Sequence, residues 1–576
     1  MSVAEVPMGT NISVSGLYSL ADPLKPKIAN SLQEWDPKAE RRVLWKVDLL
    51  LMPILTFSYG LQFYDKFVFS SAAVSGMLDD LHLTTPVLGT ALVSTQRYST
   101  ATAAFYWGYI AGVLPIALLL QRVPVAKALS VIIFIWGVIV MLTVTVSSFS
   151  GAVAQRFFLG LVESAVSPGF VLISSMWYTK AELPLRLGIW YSATGIFTIF
   201  SGVINYAIGH AHGALAPWKY MYLVAGSITI LWSLVVLAVL PDGPSTSHRW
   251  FNDAERAILA QRMRGSGAGA DVRDIKMAQV FEALRDTKVW LMGAMGAAIY
   301  VCNGGVTAFG SLIIKSFGYS SLRAILLQTP GGATTCVSIY VAGYLAGRCK
   351  NTRTHLLALS CLPVMVGAII LWRGSWNERG LALFGYYLLP TFGAPYVLLL
   401  ALVSTNVAGG TKKACATGAV FVGYNVGNIV GPYLVNVKQA PEKYRTTWIA
   451  VIVVMACTML ASFVLRFLWA HENARRDKDA LASSVPARPE SVWGTVKEGA
   501  AGSQGSQTSV LDGAMQVDRD VTDWEDRTFS HAHARSAQLR GGGSSYEAAS
   551  ASATPVTKSM SCGRTKHERR HTRAPP

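Results

Sequence analysis

Charge is scarce in this chain: 14% of its 576 residues are Asp, Glu, Lys or Arg, against 52% that are hydrophobic. Soluble domains carry roughly 25% charged residues, so the composition excludes an ordinary water-soluble protein and points to a membrane protein. Cysteine is scarce too. Six of the seven cysteines (Cys302, Cys336, Cys349, Cys361, Cys415 and Cys457) lie in or beside apolar runs at unrelated spacings. That suits small packing residues and argues against a disulfide framework or a metal site. No phosphate loop, metal-ligand cluster or nucleophile elbow is present, so no enzyme, catalytic residue, cofactor or metal is expected. The first 45 residues are polar and lack a charged start followed by a short apolar core, so no cleaved signal peptide is expected.

What the chain has is apolar runs of about 20 residues, the length at which a helix crosses the hydrocarbon core of a bilayer. Twelve begin near Leu49, Ala101, Ala128, Ala152, Leu187, Met221, Val289, Ile325, Leu356, Leu381, Ala414 and Trp448. The expected organisation is an N-terminal tail over 1–45, a six-helix bundle over 46–240 and a central loop over 241–288. A second six-helix bundle over 289–470 and a tail over 471–576 follow, the tail being rich in Ser, Gly and Ala and expected to be disordered. Basic residues in alternate short loops, among them Arg122, Lys127, Arg186, Arg348, Arg353, Lys412 and Lys413, place both ends in the cytosol by the positive-inside rule. The net charge of +17 then reads as positive residues meeting an anionic inner leaflet, not as a nucleic-acid surface. A monomer in the plasma membrane is expected.

Against this background the stretch "LQFYDKFVFSS" is unusual, because Asp65 and Lys66 stand side by side within the first apolar run. Span 4 adds Arg156 and Glu163, seven residues apart and so on one helix face, with Gly160 between them leaving room for a neighbouring helix. A charge at the bilayer centre costs at least about 2.5 kcal/mol and usually faces a bundle interior or watery cavity. The four groups are therefore expected to share one cavity. A static Arg156–Glu163 ion pair holding helices together is the alternative.

Several stretches carry a family resemblance: "LLQRVPVAKALS", "RFFLGLVESAVSPGF", "MWYTKAELPLRLGIW", "FNDAERAILAQRMR", "FEALRDTKVWL", "GYNVGNIVGPYL", "ENARRDK" and "DKFVFSSAAVSGMLDDL". Over roughly Glu40 to Lys478 the chain resembles fungal members of the anion:cation symporter family of the major facilitator superfamily, nearest the allantoate permease group. It departs from that pattern in "PVLGTALVST" and in running on past "DVTDWEDRTFS". The resemblance implies an all-α membrane protein of twelve transmembrane helices in two six-helix bundles. It also implies a proton-coupled symporter that imports a small organic anion by alternating access. On this likeness Asp65 and Glu163 are proton sites, and Lys66 and Arg156 serve the anion. Allantoate, ureidosuccinate, nicotinate, pantothenate or another carboxylate remain open as cargo. So do a proton-driven drug or toxin exporter and a nutrient sensor that binds without transporting.

Weaker signals complete the reading. Asn303, Asn425, Tyr191 and Tyr300 are candidate cavity residues, with helix ties or packing as the alternative. Arg186, Arg348 and Arg353 are candidate gating latches, although topology explains them equally. Gly385, Gly393, Pro390 and Pro395 in span 10 predict a broken helix, and Asn252 predicts the cap of a short amphipathic helix in the central loop.

Overall fold

The computed structural model describes residues 37–484, apart from 88, 90–91, 121, 180–181, 212, 266–275 and 350–351. Among these residues the chain is helical except for loops and a small ribbon in which Thr85–Pro86 pairs antiparallel with Val93–Ser94. Ten helices are long and apolar enough to cross a membrane. They are span 1 (Pro37–Asp80), span 2 (Gln96–Leu120), span 3 (Val125–Thr145), span 4 (Phe149–Trp177), span 5 (Leu185–Ile208), span 6 (Pro217–Val239), span 7 (Thr287–Ser316), span 9 (Arg353–Arg373), span 10 (Arg379–Asn406) and span 12 (Arg445–Lys478). Two further helices, span 8 (Thr329–Arg348) and span 11 (Gly410–Leu434), complete the expected twelve. They have 20 and 25 residues, long enough to cross, but are diluted by Gly, Thr and, in span 11, Asn and Lys. That composition reflects what they pack against.

In the first half, span 1 packs on span 5, span 2 on span 4 and span 3 on span 6; in the second, span 7 packs on span 11, span 8 on span 10 and span 9 on span 12. The halves meet where span 2 touches span 11, span 5 touches span 8 and span 1 touches span 7. Glycine sets the closest of these approaches. A Cβ on Gly160 would collide with the Phe105 carbonyl of span 2, and one on Gly108 with the Phe157 carbonyl of span 4. Gly423, Gly427 and Gly431, one turn apart along span 11, lie against the carbonyls of Gly293, Ala297 and Val301. Small residues allow such backbone contact between membrane helices. Large apolar side chains such as Leu114, Phe158, Leu231, Leu460 and Phe467 are exposed on the outer faces, where lipid would meet them.

Two expected boundaries move. Residues 37–45, expected as tail, are already helical and continue into the first span. The last helix runs to Ser484, well into the tail expected to be disordered from 471. Its "HENARRDKDA" stretch is rich in good helix formers and carries an Arg476–Glu472 pair at 2.5 Å. Span 10 breaks as expected: a tight turn at Leu389–Phe392 separates Arg379–Leu388 from Gly393–Asn406.

The central segment forms two short helices on the side where span 1 begins, termed the tail side; the opposite side carries the ribbon. Helix Asp253–Gly265 starts with a capping box, the Glu255 amide donating to Asn252 Oδ1 at 2.8 Å and the Asn252 amide to Glu255 Oε2 at 3.0 Å. It docks on the first half. Arg262 bridges Glu40 (2.6 Å) and Glu182 (2.7 Å), and Lys46 pairs with Glu255 at 2.9 Å. Burial alone would push the Glu255 carboxyl up, but Lys46 and the Asn252 amide outweigh it and hold it below the usual value. Its share of the docking is therefore complete at neutral pH and lost only as pH falls through the carboxylate range. Helix Met277–Arg285 docks on the second half, where buried Lys412 pairs with Glu282 (2.8 Å) and Asp286 (3.1 Å).

Arg262→Ala removes both bridges at once, and hydrogen bonds to charged groups are worth about 1.5–3 kcal/mol. The variant is expected to be cleaved about tenfold faster by a protease acting on residues 253–265, as read by timed digestion of the purified protein. Unchanged cleavage would mean that apolar contacts alone hold the helix.

Candidate functional site

Midway along the spans the halves enclose a two-lobed cavity. The larger lobe, about 680 Å³ counted out to its open side, is lined by Phe63, Phe67, Tyr191, Thr194 and Thr198 from the first half. The second half contributes Tyr300, Asn303, Thr307, Gln328, Thr335, Tyr386 and the broken turn of span 10 at Pro390–Gly393. The smaller lobe is lined by Lys66, Phe69, Thr102, Phe105, Tyr106 and Arg156, with Gly304, Thr307 and Ala308 of span 7 opposite. Thr307 belongs to both lobes.

The four buried ionisable groups do gather between spans 1 and 4, but not as one cavity wall. Lys66 and Arg156 line the smaller lobe, whereas Asp65 and Glu163, 1% and 0% exposed, lie behind it. Adjacent residues on a helix project about 100° apart, which lets Lys66 line the lobe while Asp65 turns away from it. Asp65 turns toward span 3, where Trp136 Nε1 donates to its Oδ2 at 2.5 Å, and its Oδ1 has no partner among the described residues. Lys66 Nζ lies 3.7 Å from Glu163 Oε2 and about 5 Å from the Phe63 and Phe105 ring centroids. The alternative of a static Arg156–Glu163 pair is not realised. Seven residues of helix separate their Cα atoms by about 10 Å.

Arg156 is instead held by stacking. Its guanidinium carbon sits 3.5 Å from the Phe69 ring centroid, and Tyr98 stacks on Phe69 at 4.7 Å with an interplanar angle of 8°. Nε and Nη2 of Arg156 have no hydrogen-bond partner among the described residues. Arg156 also lines the smaller lobe, and a guanidinium with unmade bonds at such a lobe is suited to receive an oxyanion.

The remaining sequence candidates divide. Tyr191 and Tyr300 both line the larger lobe and join across the halves through their hydroxyls at 2.7 Å. Asn303 lines it too, although its Nδ2 donates to Asn428 Oδ1 at 2.7 Å and its Oδ1 accepts from Thr307. It is thus both tie and wall. Asn425 does not line either lobe: its amide donates to the Phe421 carbonyl of its own helix at 2.8 Å. The latch reading of the arginines also changes. Arg186 forks onto Asp48 within the first half (3.0 and 3.3 Å), Arg353 donates to Thr405 within the second, and Arg348 donates to Tyr344, one turn away. None of these bonds joins the two halves. Charged side chains at helix ends find partners on their own bundle first.

The seam between the halves on the ribbon side is polar. Ser99 donates to the Pro432 carbonyl at 2.8 Å, Tyr98 to the Ala308 carbonyl at 2.7 Å, and Asn436 bonds both Ser94 and the Thr95 amide. The unexpected "PVLGTALVST" stretch ends in this ribbon and so feeds the seam. On the tail side, rings of Tyr59, Tyr191, Tyr300, Tyr396 and Tyr424 cluster beneath the larger lobe. Residues missed by the sequence reading are Trp136, Phe69 and Gln328. Only Trp136, a lone indole in the aliphatic run "SVIIFIWGVIV", offered a signal.

Two pseudo-equivalent six-helix halves around a central cavity define a multi-pass membrane transporter. The profile of the Major Facilitator Superfamily matches residues 55–432, and the chain belongs to that superfamily. An uncharacterized transporter of Schizosaccharomyces pombe is 33% identical over 457 residues, 79% of this chain and 84% of that protein. The allantoate permease of Saccharomyces cerevisiae is 30% identical over 484 residues, 81% of this chain and 86% of the permease. The thiamine pathway transporter THI73 of the same yeast is 28% identical, covering 76% and 81%. Among solved structures, a D-xylose–proton symporter superposes with a TM-score of 0.53 at 15% identity, covering 72% of this chain and 97% of the symporter; that likeness shows the fold.

Trp136→Phe keeps an aromatic ring but leaves Asp65 Oδ2 without its donor, at a cost of about 1–3 kcal/mol. The purified variant is expected to unfold several degrees below the parent in a thermal melt. A melt superimposable on the parent's would show that Asp65 draws no support from span 3.

Proposed function

We propose that this transporter is a proton-coupled symporter that imports a small organic anion by alternating access, with the tail side in the cytosol. The observation that carries this reading is the buried, unpaired guanidinium of Arg156 opening onto the same lobe as Lys66, with two carboxylates directly behind. Leaving a charge buried and unpaired is costly, and an anionic cargo seated between Arg156 and Lys66 removes that cost. The relatives support the same class, one being named an allantoate permease, and an allantoate-like carboxylate or a vitamin acid such as nicotinate is the cargo proposed.

Coupling follows from the contacts. Lys66 faces Glu163 across 3.7 Å and also lines the anion lobe. When cargo draws Lys66 forward, Glu163 is left without its cation, and taking up a proton relieves an uncompensated buried carboxylate. When cargo leaves, Lys66 returns and the proton is released. Asp65, held by an indole N–H and not by a cation, is the second proton site. Tyr191, Tyr300 and Asn303 complete the cavity. Basic loops on the tail side support a cytosolic location for that side, and the plasma membrane is the proposed location.

Single substitutions test the roles. Asp65→Asn and Glu163→Gln should each abolish concentrative uptake while sparing substrate exchange, and Arg156→Gln should weaken carboxylate binding more than Lys66→Arg does. Normal accumulation by both carboxylate variants, or parental affinity in Arg156→Gln, would remove the assignment. A monoanion carried with two protons moves net positive charge inward, adding about 2.3 kcal/mol per 100 mV of membrane potential to the about 1.4 kcal/mol per pH unit supplied by each proton. Currents from protein on supported membranes should therefore be inward and positive on addition of allantoate or nicotinate. An electroneutral response would leave only one of the two carboxylates as a proton site.

A further inference from the structure

Apart from the central cavity, a crevice lies on the outer surface between spans 2 and 4, about 820 Å³ counted out to its open face. It exists because the two spans touch at one level and part beyond it. Their backbones meet where Gly108 and Gly160 face the Phe157 and Phe105 carbonyls, and the crevice runs from that crossing toward the ribbon side. Trp107, Phe157 and Phe158 close it at the crossing, and Ala104, Val153 and Ala154 are small enough to leave the space between the helices. From Thr100 at the mouth to Trp107 at the crossing is about 10 Å of helix. Trp107, Ala154 and Phe158 are exposed, so the crevice opens to the surroundings of the bundle and not to the central cavity.

The mouth carries a cation. Arg97 is exposed, with its guanidinium carbon 5.5 Å from the ring centroid of Phe149, a residue of the crevice wall, and it donates to the His82 carbonyl at 3.2 Å. No carboxylate pairs with it among the described residues. The hydroxyls of Ser150 and Thr100 stand at the same end, and Thr100 accepts from Tyr433 of span 11 at 3.3 Å. The mouth therefore abuts the seam between the halves.

We propose that this crevice binds a glycerophospholipid, with one acyl chain lying between spans 2 and 4 and the phosphodiester seated on Arg97 beside the Ser150 hydroxyl. On a membrane-facing surface an unfilled hollow forfeits the contacts its walls would make, and a chain of methylenes restores them. Helices that touch backbone to backbone diverge too little over two turns to admit a third helix, about 10–12 Å across. An acyl chain is far narrower. A sterol or a diacylglycerol could enter the apolar part, but either would leave Arg97 without an anion. A phosphodiester supplies one through charge-assisted hydrogen bonds, at the level where span 2 leaves the apolar layer.

The test is photo-crosslinking of the purified full-length protein in detergent micelles with a phosphatidylcholine that carries a diazirine in one acyl chain, the labelled peptides being mapped by mass spectrometry. Label is expected on residues 100–107 and 149–158 at several times the level on other exposed apolar residues such as Leu231 and Phe467. Unlabelled phosphatidylcholine should displace it at about tenfold lower concentration than diolein or cholesterol, the preference that a hydrogen bond to a charged group confers. Arg97→Gln should erase that preference. Ala154→Phe, which fills the crevice from its exposed side, should remove the label there and leave it elsewhere. Diolein or cholesterol competing as well as phosphatidylcholine, or a preference unchanged in Arg97→Gln, would overturn the phosphodiester site. Labelling no stronger than at Leu231, or unchanged in Ala154→Phe, would reduce the crevice to ordinary bilayer contact and overturn the proposal. An unlabelled crevice in a protein that migrates as a dimer would assign it to a second copy of the chain and overturn it equally.

Discussion

Backbone-to-backbone contact at glycine is the constraint on which the rest of this transporter depends. Spans 2 and 4 touch through Gly108 and Gly160, spans 7 and 11 through Gly423, Gly427 and Gly431, and spans 5 and 8 through Gly195 and Gly332. In a bilayer no hydrophobic force drives helices together, so packing and hydrogen bonds must do so, and packing is densest where no side chain intervenes. The first contact fixes span 4 so closely that Arg156 and Glu163 are pinned on either side of the crossing. The second brings span 7, with Asn303 and Thr307, against the same cavity.

Buried charge is the second organising fact. Four ionisable side chains in one corner of the first half would destabilise a static bundle, and removing one partner of a buried pair ordinarily costs several kcal/mol. Here the packing leaves the contacts incomplete: a lysine at long reach of a glutamate, an arginine stacked on Phe69, an aspartate held by an indole. Asp65, Arg156 and Glu163 each keep an atom without a hydrogen-bond partner among the described residues. Such an arrangement stores a demand for a visiting ion.

Much of this was legible in the chain. Apolar runs gave the twelve spans because length and hydropathy are local properties, and the charges at 65, 66, 156 and 163 stood out because the bilayer makes them costly. Even Gly160 could be assigned a close approach. What could not be read was direction. Whether Asp65 or Lys66 faces the cavity depends on the rotation of span 1 against spans 3, 4 and 5, which no local pattern encodes, and so Trp136 and Phe69 went unassigned. The partners of Asn425 and of the arginines at 186, 348 and 353 could not be read for a related reason: a polar side chain has several partners within reach, and here each bonds within its own half. That residues 37–45 and 471–484 are helical shows that helix propensity carries on beyond the apolar runs where composition alone suggests a tail.

The charged quartet lies entirely in the first half, whereas the larger, uncharged lobe draws most of its polar wall from the second. Charge and neutral polarity at the cavity are thus written into different stretches of the chain. Substitutions at Gln328, Thr335 or Tyr386 can reshape the larger lobe without touching the charged corner. A lineage built on this plan can remodel one wall of its cavity while the other stays fixed.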